Sequence, residues 1–66
     1  MKNNIRVARA EVRMTQQQLA EAVGVSRQTV NAIESGKFIP STLLALKLAH
    51  QFGKRVEELF TLDEED

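Results

Sequence analysis

The chain contains no cysteine, tryptophan or tyrosine, a single proline, and only three aromatic side chains, Phe38, Phe52 and Phe60. Without cysteine it has no disulfide, no thiolate zinc site and no iron–sulfur cluster. A lone histidine, His50, leaves a metal site without the several converging ligands it needs, so no metal and no cofactor is expected. Glu57 and Glu58 are adjacent and point different ways on a helix, which suits a solvated face and not a catalytic dyad; no enzyme is read here. No apolar run approaches the roughly 18 residues of a membrane span, and no signal peptide is evident, so the expected location is the cytoplasm. With 66 residues the chain makes one small aliphatic domain. A domain of this length buries only about 60% of the surface of its unfolded chain, and dimerisation is the remaining source of stability.

A net charge of zero conceals a division. Residues 1–56 carry all nine lysines and arginines against Glu11, Glu21 and Glu34, a balance of +6, and residues 57–66 carry six acids and no base. Segregation of this kind says more about partners than the total does.

The hydrophobic period is helical throughout. Ile5, Ala8 and Val12 define one face of a first helix near residues 3–13. Thr15 and Gln18 have capping-box spacing at the start of a second, whose inner face is Leu19, Ala20 and Val23, with Gly24 suited to a left-handed C-terminal position. Ser26 caps a third, with Val30 and Ile33 inward and Gly36 at its end. The stretch "KFIP" is a loop, because Pro40 and the residue before it resist helix. Ser41 caps a fourth helix, "TLLALKLAHQF", closed by Gly53. The stretch "VEELF" gives a short fifth, with an irregular start because Lys54 and Arg55 stand where a capping residue is usual. The acidic run at 63–66 reads as a solvated, frayed tail, since negative charge at a helix C-terminus is unfavourable. The domain is thus read as 1–62 and the tail as 63–66.

Arg9 shares the inner face of helix one, and Glu34 sits at the inner edge of helix three. Burying either charge alone is costly, so the two are expected to pair and lock helix one to helix three.

Only "GVS" separates helices two and three, which forces a steep crossing as in the helix-turn-helix. The crossing needs a small residue where the helices approach, a glycine for the turn and apolar contacts behind, and Ala20, Gly24, Val25, Val30 and Ile33 meet these needs in order. On Gln16, Leu19, Ala20, Val23, Gly24, Val30, Ile33, Glu34 and Gly36, with Pro40–Ser41 and the final "EELF", the chain resembles the Cro/repressor-type (XRE-like) helix-turn-helix family over roughly residues 4–60. The resemblance implies an all-α, five-helix, lambda-repressor-like DNA-binding domain, with the helix-turn-helix at helices 2 and 3. It implies a transcriptional regulator, expected to be a repressor, that binds double-stranded DNA as a homodimer on an inverted-repeat operator, helix three lying in the major groove.

The base-facing family positions fall on Arg27, Gln28 and Ala32. Arg suits guanine O6/N7, Gln suits adenine N6/N7, and an Ala methyl suits the thymine methyl. Asn31, one turn beyond Arg27, reaches a base or a phosphate. Gln16 matches the family's phosphate clamp at a helix N-terminus, with Thr29, Ser35 and Lys37 as further phosphate contacts. On helix four Ala45, Leu46, Ala49 and Phe52 suffice for a core, so Leu44, Leu48, Phe60 and Leu62 form the expected dimer surface; the competing arrangement folds helix five over them within one chain. The rival function is an antitoxin or accessory module that uses the same fold to bind protein. Retention of polar residues at 27, 28 and 31 favours DNA.

Overall fold

Each helix boundary has a local chemical cause. In the computed structural model, which describes residues 1–66, α1 spans Ile5–Glu11, α2 Gln16–Val23, α3 Arg27–Glu34, α4 Thr42–Phe52 and α5 Val56–Leu59. Thr15 and Gln18 form the reciprocal cap of α2: Gln18 N donates to Thr15 Oγ1 at 3.0 Å and Thr15 N to Gln18 Oε1 at 2.9 Å. Ser26 accepts from Thr29 N at 3.1 Å and Ser41 from Leu44 N at 3.2 Å, so α3 and α4 open on hydroxyl caps. Gly24, at φ 77°, closes α2 in the left-handed region, where Val25 N reaches the Ala20 carbonyl at 3.0 Å. Arg55 begins α5 without a hydroxyl; the Glu58 carboxylate accepts its backbone N–H at 2.8 Å instead.

The helices enclose one aliphatic core. Leu19, Ala20 and Val23 of α2 meet Val30 and Ile33 of α3, Ile5 and Ala8 of α1, and Leu44, Leu48 and Ala49 of α4; Leu59 and Phe60 close it. Leu19, Leu48 and Leu59 are almost wholly withdrawn from water, and each such side chain contributes about 1.5–3 kcal/mol on transfer from solvent.

Four expectations from the sequence need correction. The first helix ends at Glu11, two residues early. Arg13 takes the left-handed conformation (φ 57°), the chain turns back there, and Val12 is left on the surface. On α4 the stripes exchange roles. Leu44 and Leu48 lie inward with Ala45, Ala49 and Phe52, whereas Leu46 and Leu43 are 55% and 64% exposed. The small Ala45 and Ala49 let α4 approach its neighbours closely, and that draws the Leu44–Leu48 flank inside. Phe60 is buried as well, so of the four expected dimer-surface residues Leu44, Leu48 and Phe60 are consumed by the protomer's own core and only Leu62 is exposed.

The third correction is a small element of sheet. Strand β1 (Lys2–Asn3) pairs antiparallel with β2 (Phe60–Thr61), Lys2 opposite Thr61 and Asn3 opposite Phe60. The fold is therefore helical with a two-residue ribbon joining its two extremities. The fourth concerns the acidic tail. Asp66 N bonds the Asp63 carbonyl at 3.2 Å, and Asp63 N bonds Asp66 Oδ2 at 2.7 Å. The carboxylates of both residues lie 3.0 Å from the Met1 amino group. Asp63 and Asp66 are thus drawn into a turn by a cation while Glu64 and Glu65 stay exposed, so the tail is solvated but not frayed.

Candidate nucleic-acid interface

The turn Gly24–Ser26 sets α3 across α2 with Val30 and Ile33 against the core. The helical period then forces Arg27, Gln28 and Asn31 outward, and all three are exposed. Arg27 and Gln28 have no side-chain partner within the protein: no carboxylate lies within ion-pair distance of Arg27, and neither side chain makes a hydrogen bond. The outer face of α3 accordingly offers a free guanidinium, a free amide and the half-buried Ala32 methyl.

Beneath this row lies a polar network that fixes α3 in place. Arg9 Nε donates to Glu34 Oε2 at 2.6 Å and Nη2 to Oε1 at 3.0 Å, the bidentate geometry of the strongest charge-assisted pairs. Arg9 Nη1 also donates to the Met14 carbonyl at 2.9 Å, which ties in the turn after α1. Only 1% of the Glu34 side chain is exposed, and Arg6 Nε approaches the same Oε1 at 3.6 Å. Burial by itself raises the Glu34 carboxyl pKa. The hydrogen bonds from Arg9 and Gln16, with the charges of Arg9 and Arg6, outweigh burial and hold it below the usual carboxylate range. The same contact with Glu34 raises the Arg9 pKa.

The expected phosphate-contacting residues are placed unevenly. Gln16 Nε2 donates to Asn31 Oδ1 and to Glu34 Oε1, each at 3.2 Å, so both amide hydrogens are committed inside the protein. What remains free at that corner is the pair of backbone N–H groups of Gln16 and Gln17, which have no carbonyl a turn earlier to bond. Thr29 Oγ1 lies 3.0 Å from Ser26 Oγ, and Ser35 Oγ donates to the Ala32 carbonyl at 3.2 Å, so both hydroxyls serve the ends of α3. Lys37 is exposed and unpaired, its backbone N–H fastened to the Ala32 carbonyl at 2.9 Å.

Sequence reasoning missed two contacts here. Asn3 Nδ2 donates to the Ile33 carbonyl at 2.8 Å while its Oδ1 accepts from Ile5 N at 3.2 Å, so one side chain fastens the strand, the start of α1 and the end of α3. An asparagine just ahead of an apolar-periodic run was the available signal for the second bond; nothing local pointed to the first. The Gln16–Asn31 bond joins two helices and has no sequence signature at all. No helix is long and apolar enough to cross a membrane, and no cluster of three metal-ligating side chains occurs.

Comparison with known proteins agrees with this geometry. The profile of the helix-turn-helix family HTH_3 matches residues 5–59. The chain is 48% identical to the HTH-type transcriptional regulator YgzD of Bacillus subtilis, and 46% identical to the HTH-type transcriptional regulator MJ0272 of Methanocaldococcus jannaschii, over the full length of each. Among solved structures it superimposes on the restriction-modification controller protein C.AhdI of Aeromonas hydrophila with a TM-score of 0.78 and 32% identity, covering 85% of both chains. It superimposes on the SOS-response transcriptional repressor LexA of Eubacterium rectale with a TM-score of 0.81 and 28% identity, covering 96% of this chain and 67% of the other. A free polar row on α3, the tight turn before it and these likenesses have one explanation: the chain belongs to the helix-turn-helix family of DNA-binding transcriptional regulators, which are not enzymes.

Proposed function

We propose that the protein is a cytoplasmic homodimer that reads an inverted-repeat operator with α3 in the major groove and acts as a repressor by occupying that site. The observation that carries this reading is the unpartnered pair Arg27 and Gln28 on the outer face of a helix whose inner face is locked to the core. Arg and Gln are the usual readers of guanine and adenine edges, and here both stand unengaged where a recognition helix meets the bases. Ala32 contributes apolar contact with a thymine methyl. Phosphate contacts come from the free N–H groups of Gln16 and Gln17, from Lys37 and from the rim at Thr29 and Ser35.

The dimer surface is redrawn by burial. Leu43 and Leu46 of α4 and Ile39 of the preceding loop are exposed, and Ile39, Ala45, Leu46, Val56 and the edge of Phe60 line an apolar groove of about 290 Å³. A second copy related by a two-fold axis covers this face, and the exposed Leu62 is a further candidate for the contact. The protomer measures 32 × 22 × 20 Å, so two copies in contact accommodate recognition helices about 34 Å apart, one turn of B-DNA. The six acids of residues 57–66 lie on the chain segment that ends beside Met1, which leaves the basic remainder to the DNA.

The test is selection from random duplex DNA by the purified protein, repeated with Arg27→Ala, Gln28→Ala and Leu46→Glu. The expected result is an inverted repeat with half-sites about ten base pairs apart, loss of preference at one position per half-site in each of the first two variants, and recovery of single half-sites with the third. If no sequence is enriched even at low salt, the polar row serves a protein partner and the DNA reading falls.

A further inference from the structure

Three charged side chains meet at one corner of the molecule. Arg9 holds Glu34 through two bonds, at 2.6 and 3.0 Å, while Arg6 Nε lies 3.6 Å from Glu34 Oε1 without a hydrogen bond to it. One carboxylate thus faces two guanidinium groups, and the cluster keeps a net positive charge. Burial decides where that charge is felt: the side chains are 1% exposed for Glu34, 15% for Arg9 and 75% for Arg6. Arg9 has all three of its nitrogens engaged, two on Glu34 and one on the Met14 carbonyl. The Nη1 and Nη2 groups of Arg6 have no partner in the protein.

A shared acceptor fixes the place of Arg6 relative to α3. Gln16 Nε2 donates to the same Oε1 and also to Asn31 Oδ1, on the outer face of α3. Arg6 therefore stands beside the Gln16 amide, at the edge of the surface that carries Asn31. The needs of the fold do not account for an arginine here. The first turn of α1 is the positive end of that helix, where a cation is unfavourable, and an exposed ion pair contributes little to stability.

We propose that Arg6 is a further phosphate-contacting residue, which brings the uncompensated charge of the Arg9–Glu34–Arg6 cluster to the DNA strand flanking the groove that α3 occupies. Glu34 has a second part in this. It attracts Nε, which limits the swing of a long side chain and leaves both Nη groups free, the fork that suits a phosphate. The ligand is a backbone phosphodiester, so the contact adds affinity and register and carries no base preference. The inference rests on the reading above that α3 enters the major groove.

The experiment measures binding of wild-type protein, Arg6→Met and Arg6→Lys to the duplex that the wild type selects, at salt concentrations from about 50 to 200 mM. Arg6→Met is expected to lower the slope of log affinity against log salt by about 0.9 per protomer, so that its gap to wild type narrows roughly threefold per protomer across that range. Arg6→Lys, which keeps the charge, is expected to keep the slope, and base preferences should be the same in all three. A neutral methylphosphonate placed at each backbone position in turn separates contact from long-range attraction. One position in each half-site should weaken wild-type binding and have no further effect on Arg6→Met. The melting midpoint of Arg6→Met should lie within about 8 °C of wild type, the most that an exposed pair supplies. The proposal is overturned if Arg6→Met keeps the wild-type slope, if Arg6→Lys loses it, if base preference changes, or if no methylphosphonate position is silenced by Arg6→Met. An unchanged slope with a midpoint lowered by more than about 8 °C would reduce Arg6 to a structural partner of Glu34. Failure of the DNA reading shows separately, as absence of any duplex bound by the wild type, and takes this inference with it.

Discussion

Replacing Arg9 by leucine strips Glu34 of both bidentate bonds and leaves the Met14 carbonyl without its donor. Because 1% of the Glu34 side chain is exposed, water cannot take over. Removing one partner of a buried pair costs about 3–5 kcal/mol; Gln16 at 3.2 Å and Arg6 at 3.6 Å still attend the carboxylate, which places the expected loss near the lower end, about 3 kcal/mol. At roughly 0.05–0.15 kcal/mol per residue a chain of this length has about 3–10 kcal/mol in all, so the loss removes between about a third and all of its stability. With about 4–8 °C per kcal/mol for a small domain, the midpoint should fall by about 12–24 °C when melting is followed at 222 nm. The double variant Arg9→Met/Glu34→Leu has no orphaned charge and should regain most of the loss. The pH dependence follows from the lowered pKa of Glu34. Its contribution in the wild type is present above the unfolded carboxyl pKa and is lost as pH falls through the folded value. In Arg9→Leu the carboxyl is left with burial as its main influence, so acid relieves the defect instead of adding to it. A loss below about 1 kcal/mol at pH 7, or a double variant no better than the single, would refute the view that a desolvated pair locks α1 to α3.

Three further outcomes are expected from chemical denaturation or thermal melting. Leu59→Ala should cost about 2–5 kcal/mol, since the side chain is fully buried beneath the closing ribbon; a smaller loss would mean that this end of the core is loosely packed. Ser26→Ala removes the hydroxyl that accepts from Thr29 N and should cost about 1 kcal/mol, with slower-exchanging amides of α1 and α2 unaffected. Arg13→Gly relieves a left-handed residue whose conformation costs about 1–2 kcal/mol for a side chain with Cβ. Against the roughly 0.5–1 kcal/mol entropy cost of glycine, a net gain of about 0–1.5 kcal/mol is expected, and a decrease would show that the Arg13 side chain itself stabilises the fold.

How much of this was legible in the sequence varied with the range of the cause. Thr15, Ser26 and Ser41 marked helix starts, and Gly24 and Gly53 marked ends, because a cap is a bond between residues three or four apart. The Arg9–Glu34 contact was readable from the cost of burying either charge alone, although the partners are far apart in sequence. Helix α4 carried a signal that its four leucines obscured: the exposed Lys47 and His50 mark its outer face and set Leu43 and Leu46 beside them, opposite Leu44 and Leu48. The β1–β2 ribbon was invisible, since two residues show no alternation, and the turn at Arg13 carried no glycine to announce it. On the recognition face, residue types suggested readers at Arg27 and Gln28. The engagement of Gln16 with Asn31 depends on a crossing angle that no spacing encodes.

The β1–β2 ribbon also dictates an order of events. Helices α2 and α3, with their turn, lie within twenty residues and are able to make their mutual contacts as soon as that stretch of chain exists. The ribbon unites residues 2–3 with residues 60–61, and Asn4 N reaches the Leu59 carbonyl at 2.8 Å beside it. Those contacts close a loop of nearly the whole chain, at a higher entropic cost than the local contacts of α2 with α3. A chain still emerging from the ribosome therefore holds α2 and α3 before it holds the residues that complete their core, and α1 is anchored to the far end of the chain only when the final turn of helix arrives.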